Sequence, residues 1–161
     1  MDAWRISRAA FARDCSGQHA AQFGARWNQQ DHRALYVTLT PALCALEALM
    51  HARELPQDLK LVQLKLPDGP ALYHAPDFEQ LPSGWDAHPA DTPGQQFGTP
   101  WLIQGLHLGL ILPSSILPQT HILMLNPAHS AAERIEIVDI SAFPHWPVST
   151  TTRPRTCPAI S

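Results

Sequence analysis

The chain is 161 residues long, 45% hydrophobic and only 16% charged, with a net charge of -3 and a pI near 6.3. That length suits one domain around one core, and the lack of any Lys/Arg block argues against direct nucleic-acid binding, which needs a basic footprint. Cys15, Cys44 and Cys157 are odd in number and form no CxxC pair, so neither a disulfide framework nor a cysteine zinc site is expected, in keeping with a reducing cytosol. "MDAWRISRAA" has no apolar h-region and no run approaches about 18 apolar residues, so neither a signal peptide nor a membrane span is expected, and the location expected is cytoplasmic.

"AWRIS" (3–7) reads as a first short strand and "RAAFA" (8–12) as a helical turn. A polar, glycine-containing stretch from Asp14 to Asp31 holds "GARWN" (24–28). "ALYVTL" (34–39) is a strand by its β-branched and aromatic content, with Leu35 and Val37 on one face and Ala34, Tyr36 and Thr38 on the other. Thr40 can cap the next helix, and Pro41 suits its first position, which needs no amide hydrogen. That helix is expected to run to about Glu54, before Pro56. "LKLVQLKL" (59–66) alternates around Val62, Leu64 and Leu66 and forms a strand ended by "PDGP". "ALYHA" (71–75) reads as another short strand. Prolines and glycines crowd the stretch from Pro76 to Pro100, which predicts loop with one short helix, and "WLIQG" (101–105) reads as a helix end. "LHLGLIL" (106–112), "HILMLN" (121–126) and "RIEIVDI" (134–140) are the last strands. Six strands, with "ALYHA" as a short addition, and three helices in irregular order, with no GxGxxG or P-loop, predict an α+β fold with a mixed, mostly antiparallel sheet and flanking helices. A single domain is expected over residues 1–146, followed by a Pro/Thr-rich tail (147–161) poorly ordered alone.

Several side chains could carry chemistry. "TPALCALEALMH" (40–51) is apolar on nearly every side, yet it holds Glu47, and an ionised carboxylate in apolar surroundings needs compensation. Glu47 either faces water or faces a pocket, and it shares a helical stripe with Leu43 and His51. Arg5 sits between Trp4 and Ile6, and Arg26 between Ala25 and Trp27. A guanidinium among apolar neighbours calls for an anion, and its planar fork matches phosphate or carboxylate; the alternative is an internal carboxylate partner that ties loops together. Tyr36, taken alone, is more often core than catalytic. "LPSS" (112–115) puts Ser114 after a strand-ending proline, where it either caps a turn or offers a hydroxyl at a pocket mouth. No GxSxG elbow is present. The nine histidines contain no tight HxxxH pair, so they read as surface or loop residues and no metal site is expected.

"WRI", "GARWN", "LYVT", "ALCALEAL", "LPSGW", "LPSS" and "LNPAH" occur in this order over about residues 3 to 140. This series resembles the RES-domain family, the toxin half of RES–Xre toxin–antitoxin pairs. The resemblance implies an ADP-ribosyltransferase-like fold and consumption of NAD+ as substrate, with no cofactor. It puts the family arginine at Arg26, the helix glutamate at Glu47, the serine at Ser114, the first-strand arginine at Arg5 and the strand tyrosine at Tyr36; Asn126 of "NPxH" joins the NAD+-binding set. Ala25 replaces the second glycine of the usual "GGRWN", and "QQD" (29–31) replaces the "PPG" that often follows.

The implied chemistry is cleavage of the nicotinamide–ribose bond, through a state with positive charge on the ribose. Glu47 would stabilise that charge, Arg5 and Arg26 would clamp the diphosphate, Tyr36 would orient the nicotinamide ribose, and Ser114 would bond the nucleotide. The acceptor is open between water, phosphate and a protein side chain. The expected partner is an Xre-type helix-turn-helix antitoxin that blocks the site and binds DNA on the pair's behalf. Two other readings stand beside this one: a protein-modifying ADP-ribosyltransferase, and a degenerate module that only binds an antitoxin or a nucleotide.

Overall fold

The computed structural model describes residues 1–52 and 55–144. The last residues of the predicted second helix (53–54) and the whole tail (147–161) lie outside the described residues. Seven strands form a single sheet in the order β4-β5-β6-β2-β1-β3-β7, where β1 is Asp2–Arg8, β2 Leu35–Thr38, β3 Leu59–Lys65, β4 Tyr73–His74, β5 Gly109–Pro113, β6 His121–Leu125 and β7 Glu136–Ala142. Every pairing is antiparallel except β4 with β5, so the sheet is mixed and mostly antiparallel, as expected. Helices α1 (Gln18–Phe23), α2 (Pro41–His51) and α3 (Thr92–Gln104) flank it.

The side-chain period of two gives the sheet two apolar faces. Leu35, Val37, Leu123 and Leu125 enter one buried cluster with Val62 and Leu64. Ala34 and Met124 enter the other with Leu110, Leu112, Trp27 and Trp85, and Tyr36 packs against it. The strand reading of 34–39 assigned these faces correctly. The leucine alternation of 106–112 holds only in part. Gly105 turns the chain in a left-handed conformation (φ 63°), Leu106 is exposed, Leu108 joins the first cluster, and the strand begins at Gly109.

The sheet is not evenly knit. β1 pairs with β3 through seven residues, from Asp2↔Lys65 to Arg8↔Leu59, and β2 pairs with β6 through four. Between β1 and β2 the register holds only Trp4↔Thr38. Beyond that pair the strands part, and the Thr38 hydroxyl, donating to the carbonyls of Trp4 (3.3 Å) and Thr40 (2.8 Å), ties the point of divergence. A gap between two half-sheets results.

Two helices differ from the sequence reading. α1 lies inside the polar, glycine-containing stretch to which the sequence assigned no element; it is only six residues long and too short for apolar periodicity to show. α3 is thirteen residues long where proline and glycine content predicted loop and one short helix. Asp91 caps it by accepting the Thr92 amide (2.7 Å), Pro93 falls in its first turn, and Pro100 lies inside it at the expense of one helical hydrogen bond. Tertiary packing offsets that loss. A Cβ at Gly94 would stand 2.4 Å from the Arg26 carbonyl oxygen, and one at Gly98 would stand 2.0 Å from that of Trp27. The helix therefore presses its bare backbone onto the "GARWN" loop. Gln95 donates to the Ala25 carbonyl (3.0 Å) and the Thr99 hydroxyl accepts the Gln29 amide (3.0 Å).

Gly98→Ala should force α3 and the 24–28 loop apart, lowering stability by about 1–3 kcal/mol as other overpacked sites do. Thermal or denaturant unfolding measures this, and an unchanged midpoint would show that the contact yields freely.

Candidate active site

The gap where β1 and β2 part opens into a cleft of about 540 Å³, within the usual range for ligand pockets. β1 contributes Trp4, Arg5 and Ile6, β2 contributes Tyr36, Val37 and Thr38, and the 24–28 loop brings Ala25, Arg26 and Trp27. α2 adds Cys44, Glu47, Ala48 and His51. His88, Pro89, Ala90 and Ser115 close the rim.

Glu47 reaches this cleft because α2 starts where β2 ends. The Thr40 hydroxyl accepts the Leu43 amide (3.2 Å) and Pro41 occupies the first turn, so the helix phase is set within three residues of the strand. Leu43 and Cys44 then bury, Leu49 and Met50 face outward, and Glu47 lies between, its side chain 20% exposed. Both carboxylate oxygens are held: Oε1 accepts from the Ser114 hydroxyl at 2.6 Å, and Oε2 lies 3.0 Å from His51 Nε2. Burial pushes the Glu47 carboxyl up, but the hydrogen bonds of His51 and Ser114, with the charges of His51 and Arg26, outweigh it and hold the group below its ordinary value. Glu47 is thus a fixed anion.

Neither arginine has a carboxylate within ion-pair distance among the described residues. Arg5 Nη2 donates to the carbonyls of Phe11 (3.1 Å), Ala12 (2.9 Å) and Asp14 (2.7 Å), while its buried Nε has no partner. Arg26 Nη1 donates to the carbonyls of Trp85 and Ala87, each at 2.8 Å. Each guanidinium therefore anchors a loop with one terminal nitrogen and has no carboxylate in direct contact among the described residues. Burial lowers the pKa of both; Cys15, Asp14 and Cys44 oppose it at Arg5, and Glu47 and Asp86 oppose it at Arg26. Such forks suit an incoming anion.

Tyr36 lines the cleft, but its hydroxyl is committed: it donates to Asn28 Oδ1 at 2.7 Å. Burial raises its pKa far above the ordinary value, against a weaker effect from the Trp27 backbone amide, so it stays protonated. Burial likewise pushes the Cys44 thiol up to about 11, which leaves it a poor nucleophile.

The structure brings Arg5, Arg26, Tyr36 and Glu47 to one cleft. Ser114 is fully buried beneath Glu47, where its oxygen also accepts the amides of Ile116 (3.1 Å) and Leu117 (3.2 Å), and Ser115 is the serine on the cleft surface. Ser114 thus caps a turn and holds the carboxylate at once. Asn126 lies away from the cleft lining, its Nδ2 donating to the Leu102 carbonyl (3.0 Å) and its Oδ1 accepting the Ala128 amide (3.0 Å). Its polar ends are occupied by the chain itself. Asn28 is the residue that sequence reasoning passed over: fully buried, its Nδ2 reaches the carbonyls of Ala20, Gln29 and His32 while Oδ1 holds Tyr36. Its place in "GARWN" was the only signal, and the signal did not specify a role. His51 was visible as the i,i+4 neighbour of Glu47 and Trp4 only as part of "WRI"; His88 carried no signal. Among the described residues no group of three His, Cys, Asp or Glu is placed to hold a metal ion, and no helix is long and apolar enough to cross a membrane.

Residues 2–151 match the RES domain family. The chain belongs to that family. It is 36% identical over 139 residues to the Prs ADP-ribosylating toxin of Sphingobium sp. (strain YBL2), covering 83% of this chain and 86% of that protein. It is 30% identical over 128 residues to Toxin Res of Yersinia enterocolitica, covering 78% and 83%. The fold matches a chain from the crystal structure of the M. tuberculosis MbcT–MbcA toxin–antitoxin complex with a TM-score of 0.69 at 17% identity, over 88% of this chain and 83% of that one. The α+β architecture expected from the sequence is therefore shared with a chain of that solved toxin–antitoxin complex.

Ser114→Ala removes one of the hydrogen bonds that hold Glu47 ionised, so the Glu47 carboxyl should titrate at higher pH than in the parent. Because its folded-state value lies below the unfolded one, the stability it contributes is complete above the unfolded value and is lost as pH falls through the folded one; the variant should have less of this stability and should have lost it all at a higher pH than the parent. Carboxyl carbon chemical shifts followed through an acid titration report the change, and an unmoved titration would remove Ser114 from the site.

Proposed function

We propose that this chain is the toxin of a toxin–antitoxin pair and that it cleaves the nicotinamide–ribose bond of NAD+, arresting growth by depletion. The observation that carries this reading is the juxtaposition in one cleft of a fixed carboxylate, Glu47, with two guanidinium groups that lack carboxylate partners. A dinucleotide offers the complementary pattern, with a diphosphate for Arg5 and Arg26 and a ribose that turns cationic as its base departs. Nicotinamide leaves as a neutral molecule by taking the bond's electron pair, so no general acid is required at the leaving group. The main demand is electrostatic: an oriented anion beside the oxocarbenium-like sugar. Glu47 meets it without reorganisation, since Ser114 and His51 hold both oxygens in advance. Tyr36, held by Asn28, offers a ring wall and a fixed hydroxyl for orienting the sugar or base.

The relatives named as Toxin Res support the toxin reading, and the structural likeness to a chain of the MbcT–MbcA complex supports an antitoxin partner. The family resemblance suggests an Xre-type antitoxin that carries the DNA-binding function, with both proteins acting in the cytoplasm. A second reading, transfer of ADP-ribose to a protein, is favoured by the name of the Sphingobium relative. The two share the bond that breaks and differ in the acceptor.

Purified chain incubated with NAD+ should release nicotinamide, identified by chromatography, and Glu47→Gln should slow this about 100- to 1,000-fold, the range for losing a preorganised electrostatic contact. Arg26→Lys keeps the charge but loses the planar fork, and should raise KM about 10-fold or more with a smaller effect on kcat. Absence of nicotinamide release by the parent chain would refute the cleavage reading. Labelled NAD+ in lysate decides the acceptor: lasting label on one protein favours transfer, and free product alone favours depletion.

A further inference from the structure

Beside the cleft lies a second cavity of about 240 Å³, lined by Met50, His51, His88, Ser115 and Ile116. His51, His88 and Ser115 line both spaces, so the two meet along these side chains. His51 is the one tied to the carboxylate. Its Nε2 lies 3.0 Å from Glu47 Oε2, and since an ionised carboxylate only accepts, the nitrogen facing it carries the hydrogen. In the neutral ring the lone pair is then on Nδ1, which makes no hydrogen bond among the described residues. The side chain is 55% exposed, so solvent reaches it. A carboxylate that fixes the tautomer of an imidazole and leaves its other nitrogen free is the arrangement of an oriented general base. His88 lacks that support: its Nε2 lies 3.3 Å from the Ser115 carbonyl oxygen, and among the described residues no carboxylate holds it.

We propose that His51 accepts the proton of a neutral hydroxyl nucleophile, water or a small alcohol, admitted through this second cavity. The inference rests on the NAD+-cleaving reading and names the acceptor class and its base. The bond from the ribose anomeric carbon to the nicotinamide nitrogen breaks, its electron pair going to the nitrogen. An oxygen lone pair forms the new carbon–oxygen bond, and the hydroxyl proton passes to His51 Nδ1. The positive charge lost by nicotinamide reappears on the imidazolium, where Glu47 stabilises it. The other titratable groups sharing the cleft are Arg5 on β1, Arg26 on the 24–28 loop, Tyr36 on β2, Cys44 on α2 and His88 on the rim.

The test compares the parent chain, Glu47→Gln, His51→Asn and His51→Gln with NAD+ in water, in water with methanol, and with azide, an anionic acceptor that has no proton to give. Hydrolysis by the parent should rise with pH as an imidazole deprotonates. Both His51 variants should lose that limb and about 100-fold or more of the hydrolysis rate, and any methyl glycoside should fall in parallel; the presence or absence of that product in the parent tells an alcohol-admitting cavity from one that takes water alone. With azide, His51→Gln, which keeps a donor to Glu47, should stay within about 3-fold of the parent, whereas His51→Asn also gives up that contact and should fall further. His51→Gln separates base from prop, since its amide can still donate to Glu47 but cannot accept a proton. Recovery of hydrolysis in His51→Gln, an equal fall with azide and water, or unchanged hydrolysis in both variants each overturns the role of His51. A parent chain indistinguishable from Glu47→Gln under every acceptor would instead refute the NAD+ reading, and this inference with it.

Discussion

The single backbone pair between β1 and β2 is the constraint from which the site follows. A sheet knit through every strand would leave no room between its apolar faces, because paired strands stand only about 4.7–4.9 Å apart. Here seven residues join β1 to β3 and four join β2 to β6, but Trp4↔Thr38 alone joins the two halves. The cleft opens where pairing stops, and its walls are the strand residues that would otherwise have faced a ladder partner. Each strand wall belongs to a well-paired half-sheet, and one apolar cluster runs across both halves beneath them. Arg5 takes up the loop carbonyls of residues 11–14 where β1 has turned from β2, so the divergence and the charge share one anchor.

The second arginine is placed by different means. Arg26 lies on a loop with no ladder of its own beyond an isolated bridge between Ala25 and Asn28. Its position comes from α3 above, where Gly94 and Gly98 allow backbone to meet backbone, and from the carbonyls of Trp85 and Ala87 at its tip. Asn28 then fastens the same loop to Tyr36. A flexible stretch so becomes as fixed as a strand. Substitution of the second family glycine by Ala25 leaves this intact, since Gly24 still adopts the left-handed conformation the turn requires (φ 69°).

Around Glu47 the chain assembles a serine, a carboxylate and an imidazole, yet in an order unlike that of a serine hydrolase. There the hydroxyl bonds the imidazole and is exposed to substrate. Here Ser114 bonds the carboxylate, accepts two backbone amides and is buried, so its oxygen has neither a base beside it nor access to a carbonyl. The network serves the anion. Two donors on one carboxylate, with the positive charges of His51 and Arg26 acting in the same direction, outweigh the desolvation that would neutralise it. This balance permits a charged group on an otherwise apolar helix.

Composition and periodicity alone determined the α+β class, the strands at 34–39 and 59–66 with their facing residues, and the start of α2 at Thr40 and Pro41, because each rests on contacts between residues a few positions apart. The ordered motifs, read through family resemblance, singled out the arginines, Tyr36 and Glu47 as well. Whether Glu47 met solvent or a pocket was undecidable from its helix, since the answer depended on where β1 left β2. The same limit hid α3, whose prolines and glycines oppose helix locally and are overruled by packing on a loop some seventy residues away in sequence. It also decided between the turn cap and the pocket hydroxyl that the sequence left open for Ser114, making it a buried anchor, and set Asn126 aside from the cleft. Local propensity is a property of neighbours along the chain, whereas a site is made by elements distant in sequence, so only the tertiary structure could decide which polar groups share a cavity and which are used up by the chain itself.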